Sequence, residues 1–124
     1  MVIESFISKK EKNRDISKEQ VESLYSIREE IKKRYAEKMH LQQWAKQAYM
    51  NITYLKEKFK KIFGMTPYHY LLYERVKGAK VIIAEEPDCR FSEVAHRCGF
   101  GFYNNLRRTF HSQEGKTLTE FRSL

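Results

Sequence analysis

The sequence predicts an all-α fold on three observations. Only 5 Gly and 2 Pro interrupt its 124 residues, strict apolar/polar alternation is scarce, and apolar residues recur three and four positions apart, the spacing that gathers them on one face of a helix. This length suits one domain or two small modules. The 8 Phe, 8 Tyr and single Trp can supply a core. Charged residues at 32%, against a typical value of about 25%, imply a heavily charged exterior.

Residues 1–16 are polar and mixed in charge, with Lys9, Lys10, Glu11, Lys12, Arg14 and Asp15 in close succession, and read as a tail. Ser17 and Gln20 make a capping-box pattern ahead of Leu24, Ile27, Ile31 and Tyr35, which predicts an amphipathic helix from about Lys18 to Lys38. Leu41, Trp44, Ala45 and Ala48 form a second, short apolar face. A break around Tyr49 to Asn51 then leads into a third helix with Leu55, Phe59 and Ile62 inward. Gly64 suits the left-handed position that closes a helix, and Thr66-Pro67 opens the next with a cap and an N1 proline. That helix runs to about Ala84 and stops at Glu85-Glu86-Pro87. Gly78 inside it costs about 1 kcal/mol relative to Ala, so Val76, Ala79, Val81, Ile82 and Ile83 must pack well. Tyr68, Tyr70 and Tyr73 read as packing residues of the same helix.

The pattern then returns. Trp44, Ala45, Ala48, Tyr49 and Met50 are matched fifty positions later by Val94, Ala95, Cys98, Gly99 and Phe100. Leu55, Phe59, Gly64, Thr66 and Tyr70 are matched fifty-one positions later by Leu106, Phe110, Gly115, Thr117 and Phe121. Two copies are too few for a solenoid, so the chain holds a duplicated helix-turn-helix module. The organisation is a first module with its leading helix over 17–66, a connecting helix over 67–86 and a second module over 87–124.

With the apolar positions inward, the third helix turns Thr53, Lys56, Glu57 and Lys60 outward, because successive side chains rotate by about 100°. In the second copy Asn104, Arg107, Arg108 and His111 take that face, with Tyr103 and Asn105 at the helix start. Asn, Arg and Lys carry donors that match base edges in a major groove, and Lys58 and Lys61 flank the first face where phosphates would run. The net charge of +8 points to a polyanion. Residues 41–67 carry five Lys against the single acid Glu57, whereas 68–87 balance three basic with three acidic groups. A solvated helix surface is the bland alternative, and its repetition in two modules argues against it.

From about Leu24 to Arg122 the chain resembles the DNA-binding domain of the AraC/XylS family of bacterial transcription regulators. The matching residues are Tyr54-Leu55, Phe59-Lys60-Lys61 and Gly64-Met65-Thr66-Pro67, then Arg75 and Ala79, then Glu93-Val94-Ala95, Gly99-Phe100, Arg108, Phe110, Gly115, Thr117 and Phe121-Arg122. The resemblance implies a seven-helix domain of two homeodomain-like units whose reading helices enter successive major grooves, activating or repressing transcription. By position, the resemblance places base contacts on Thr53, Lys56 and Glu57 and on Asn104, Asn105, Arg107 and Arg108; the reading of the two faces adds Tyr103 to the base-contacting set and assigns phosphate contacts to Lys58, Lys60, Lys61 and His111. Tyr49 stands where the family usually has Gly, and Leu118 where it has Pro. A Tyr at positive φ is strained, so that turn either relaxes or stores the cost. Thr117 with Glu120 still makes a capping box, while His40 and Arg90 sit where Ser or Thr caps are common.

Other chemistry is thinly represented. His96, Cys98, Cys89 and His111 lack paired CxxC or HxxxH spacing, and Cys98 takes the core position equivalent to Ala48, which predicts a buried thiol and no metal. No Gly-rich phosphate loop, nucleophile elbow or isolated carboxylate pair suggests an enzyme or a cofactor. The longest apolar stretches are as short as Val81 to Ala84, far below the about 20 residues of a membrane span, and the sequence predicts a cytoplasmic protein with reduced cysteines. Residues 1–16 are too short for the separate sensing domain that family members often carry, which predicts regulation by abundance or a piece of a larger regulator. The rival class is a basic protein-interaction module that docks an acidic partner such as RNA polymerase or another regulator. RNA binding ranks lower because exposed aromatic platforms are not evident in the sequence.

Overall fold

A computed structural model describes residues 16–124, and the proposed tail lies outside them apart from Ile16. Among the described residues there are seven helices and no strand: α1 Lys18–Lys33, α2 Leu41–Gln47, α3 Ile52–Phe63, α4 Pro67–Glu85, α5 Phe91–Arg97, α6 Tyr103–Glu114 and α7 Leu118–Arg122. None is long and apolar enough to cross a membrane. The chain divides into two compact units, one holding the described residues through Lys33 with Met39–His69, the other holding Arg34–Lys38 with Tyr70–Leu124.

In the first unit the Ser17 hydroxyl accepts from the Gln20 amide at 3.1 Å, and the Gln20 side chain accepts from the Ser17 amide at 3.2 Å. That reciprocal pair starts α1, which buries Val21, Leu24, Ile27 and Ile31. The Phe63 ring meets Tyr25 and Phe59 edge-on, with the Arg28 guanidinium 4.7 Å from its centroid. Ala45, Ala48, Met50, Leu55 and Phe59 are buried in this unit, each large side chain contributing about 1.5–3 kcal/mol by leaving water. Gly64, at φ 84°, closes α3 in the left-handed region, and the Thr66 hydroxyl accepts from the His69 amide at 3.2 Å to start α4.

The second unit has a continuous core of Val76, Ala79, Ile83, Val94, Ala95, Cys98, Phe100, Leu106, Phe110 and Leu118. Leu118, at the position of the family's Pro, is thus part of that core. Thr117 and Glu120 cap α7 reciprocally, with bonds of 3.0 and 2.7 Å. The hydrogen bonds from Thr117 hold the Glu120 carboxyl below the usual range. Lys80 pairs with Glu114 at 3.2 Å, and Arg97 grips Glu86 through two bonds of 2.8 Å.

The first helix ends earlier than its apolar spacing suggests. Its pattern predicts Lys38, but α1 stops at Lys33, and the segment beyond it is held by Arg75, whose Nε donates to Tyr35 O at 2.7 Å and whose Nη2 donates to Glu37 O at 3.0 Å. Tyr35 therefore packs with the second unit's core instead of extending the face of Leu24, Ile27 and Ile31. This also explains Gly78: a Cβ there would collide with the Tyr35 hydroxyl and ring, so the weak helix former makes room for that side chain. The packing expectation for the α4 tyrosines holds only in part: Tyr70 is half-buried and stacks on Tyr73 at 6.2 Å, but Tyr68 and Tyr73 are exposed. They occupy outward positions of a helix whose inward ones are Leu71, Val76, Ala79 and Ile83.

Candidate nucleic-acid interface

The two repeated segments fold alike. Within the first unit, Met50 N donates to Ala45 O at 2.9 Å and Tyr49 N to Lys46 O at 3.2 Å; within the second, Phe100 N donates to Ala95 O at 2.9 Å and Gly99 N to His96 O at 3.2 Å. Both turns need a residue of positive φ, Tyr49 at 56° and Gly99 at 89°. Tyr49 stores the strain and does not relax out of it, at about 1–2 kcal/mol for an L-residue. Its side chain is 92% exposed, so burial returns nothing. Its carbonyl accepts from the Gln20 side chain at 3.4 Å.

The helix after each turn is fixed from within. Leu55 and Phe59 anchor α3, Leu106 and Phe110 anchor α6, and all four are fully buried. Rotation is thereby set, and the outward faces follow. Thr53, Lys56, Glu57, Lys60 and Lys61 are exposed on α3, whereas Lys58 is half-buried with its ammonium 5.2 Å from the Tyr54 ring centroid. Burial pushes the Tyr54 hydroxyl pKa up against the opposing pull of Lys58, so the phenol stays protonated.

On α6, Asn104, Arg107, Arg108 and His111 are exposed. Asn105 differs from them: it is half-buried, its Nδ2 donates to Phe100 O at 3.1 Å, and its Oδ1 accepts from Arg108 Nη2 at 2.9 Å. One amide thus ties the turn to the guanidinium of the outward face. Tyr103 is 40% exposed, its ring stacked on Phe91 at 6.3 Å and 17°, and Arg122 lies 3.9 Å from the other partner of that stack, Phe91.

The starts of the two helices differ. Asn51 caps α3, its Oδ1 accepting from Tyr54 N at 2.8 Å, a contribution of about 1 kcal/mol. Phe102 holds the corresponding place before α6, caps nothing and is 76% exposed. The sequence reading passed over Phe102, although the fifty-one-residue offset aligns it with Asn51 and could have flagged it. His40 and Arg90 likewise make no side-chain cap. Among the described residues no group of three or more His, Cys, Asp or Glu is placed to hold a metal ion. Cys98 is buried in the core, its thiol pushed up to about 11 by desolvation.

Known proteins share this arrangement. The family described as "Helix-turn-helix domain" matches residues 44–123. The uncharacterized HTH-type transcriptional regulator YijO of Escherichia coli is 31% identical over 97 residues, covering 78% of this chain and 34% of YijO. The probable transcriptional regulator LumQ of Photobacterium leiognathi is 35% identical over 63 residues, 51% of this chain and 25% of LumQ. The chain therefore spans about a third or less of these relatives' lengths. The DNA-binding domain of AdpA, a global transcriptional factor solved in complex with a target DNA, superposes with TM-score 0.71 at 28% identity, over 81% of this chain and 89% of that one. The C-terminal domain of AraT, a response regulator from Geobacillus stearothermophilus, shares the fold at TM-score 0.74 and 20% identity, over 82% of this chain and 84% of its own.

Proposed function

The chain belongs to the AraC/XylS family of helix-turn-helix proteins, and from that premise we propose that it binds duplex DNA sequence-specifically and regulates transcription in the cytoplasm. The observation that carries the reading is the pair of internally fixed helices, α3 and α6, each following the same hydrogen-bonded turn and each turning donor-bearing side chains to solvent. The likeness to the DNA-complexed AdpA domain supports it.

In this reading each helix lies in a major groove. Thr53, Lys56 and Glu57 of α3 and Tyr103, Asn104, Arg107 and Arg108 of α6 meet base edges, where Arg matches guanine and Asn matches adenine bidentately. Asn105, engaged at both ends of its amide, aims Arg108. Lys58, Lys60, Lys61 and His111 sit on phosphates, which fix register and carry no base identity.

Selection of bound duplexes from random DNA tests the proposal, with gel shifts of the enriched duplex, its single strands and an acidic protein competitor alongside. Enrichment of a defined motif, bound as duplex and resistant to the competitor, is the expected result. Absence of enrichment, or displacement by the acidic protein at equal charge, would replace DNA reading with docking on an acidic partner such as RNA polymerase.

A further inference from the structure

Phe102 is a large apolar side chain left in water at the start of α6, at the place where the first copy keeps a capping Asn51. Two local preferences are given up at one position: a side-chain acceptor for the first-turn amides, and burial of a phenyl ring. The neighbouring Tyr103 ring is drawn back onto Phe91, whereas Phe102 stays 76% exposed immediately ahead of Asn104, Arg107 and Arg108.

In helix-turn-helix docking the N-terminal residues of the reading helix approach the base edges. A phenyl ring has no donor or acceptor and so cannot recognise the nitrogen and oxygen pattern of a groove. The apolar group that bases present there is the 5-methyl of thymine. Resting on the DNA reading above, we infer that Phe102 is a specificity-determining residue that packs on a thymine methyl in the half-site bound by α6. This converts a stability defect of the free protein into apolar burial in the complex. It also gives the second module a preference that its polar face, Asn104, Arg107 and Arg108, does not supply.

The test uses the duplex recovered by random selection, with each thymine replaced singly by deoxyuridine, which removes the methyl and leaves every hydrogen bond. One replacement should weaken binding by the full chain about four-fold, the worth of one buried methyl group. In Phe102→Asn that penalty should vanish at the same position, with the other base preferences kept and the melting temperature no lower, since Asn supplies the cap that Asn51 supplies in the first copy. Indifference of the unmodified protein to uridine at every position overturns the inference, as does a penalty that survives in Phe102→Asn. Failure of the selection to yield any motif is a different result, which removes the DNA reading and this inference with it.

Discussion

Gly99 and Gly115 both hold positive φ, at 89° and 72°, yet their surroundings differ. A Cβ on Gly99 would stand 2.7 Å from Ala36 O and 2.9 Å from Ala36 Cα, backbone atoms of a segment pinned by Arg75, whereas a Cβ on Gly115 meets nothing within 4 Å. Gly115→Ala therefore carries the left-handed strain of about 1–2 kcal/mol, partly offset by about 0.4–1 kcal/mol because Ala is less flexible when unfolded. Gly99→Ala adds a collision that only backbone movement can relieve, about 1–3 kcal/mol more by comparison with overpacked cores. Tyr49 occupies the same turn position as Gly99, and its 92% exposure explains why that copy tolerates a bulky residue there. Urea unfolding followed by far-ultraviolet circular dichroism should thus rank Gly99→Ala below Gly115→Ala by about 1–3 kcal/mol at similar slope. If the two variants are equally stable, close approach to Ala36 is not what requires Gly99, and the positive φ alone explains it.

Three further outcomes are expected. Arg108→Ala should relax preference at one base pair, losing discrimination of about 1–3 kcal/mol with an unchanged melting temperature, whereas Lys60→Ala should weaken all sequences alike and lower the salt slope by about one; a panel of single-base variants at several salt concentrations separates them, and a lowered melting temperature with unaltered preference would make Arg108 structural. Duplex affinity should fall by about three to five decades between 50 and 200 mM salt if six to ten phosphates are contacted, and a nearly flat response would exclude a phosphate-tracking mode. Cys98, raised from its ordinary 9.0 to about 11 by burial, should favour the fold fully below pH 9 and lose that contribution as pH rises through about 11; Cys98→Ala should reduce the alkaline loss of stability, and an identical pH profile would contradict the shift.

What was legible in the sequence was local. The Ser17 and Thr117 boxes, the Thr66 cap and the left-handed Gly64 depend on neighbours within a few residues, and each forms as read, with Gly115 left-handed at the repeated position. The repeat placed Leu55, Phe59, Leu106 and Phe110 inward because period and offset agreed, and those four fix which residues α3 and α6 turn outward. The end of α1 was not legible: no local stop signal marks it, and Arg75, which holds Tyr35 O and Glu37 O just beyond it, lies some forty positions away. Gly78 looked like a helix defect for the same reason, its occupant Tyr35 being equally distant in sequence. At the candidate interface, residue type alone could not separate Asn104, which is exposed, from Asn105, whose amide is engaged by Phe100 O and Arg108.

The departures of the two copies from local preference are complementary. The first copy keeps its cap at Asn51 and strains its turn at Tyr49; the second keeps its turn glycine at Gly99 and gives up its cap at Phe102. Stability alone would favour the cap and the glycine together in both, since each contributes about 1 kcal/mol and neither excludes the other. Instead each copy holds a strongly exposed aromatic within three residues of the start of its outward-facing helix, Tyr49 before α3 and Phe102 before α6. Local rules broken without a compensating contact inside the protein direct attention to contacts outside it. The ends of α3 and α6 that approach base edges in the DNA reading are the ends where both exceptions fall. In that reading their different positions, one in the turn and one at the cap, would present unlike surfaces to the two half-sites.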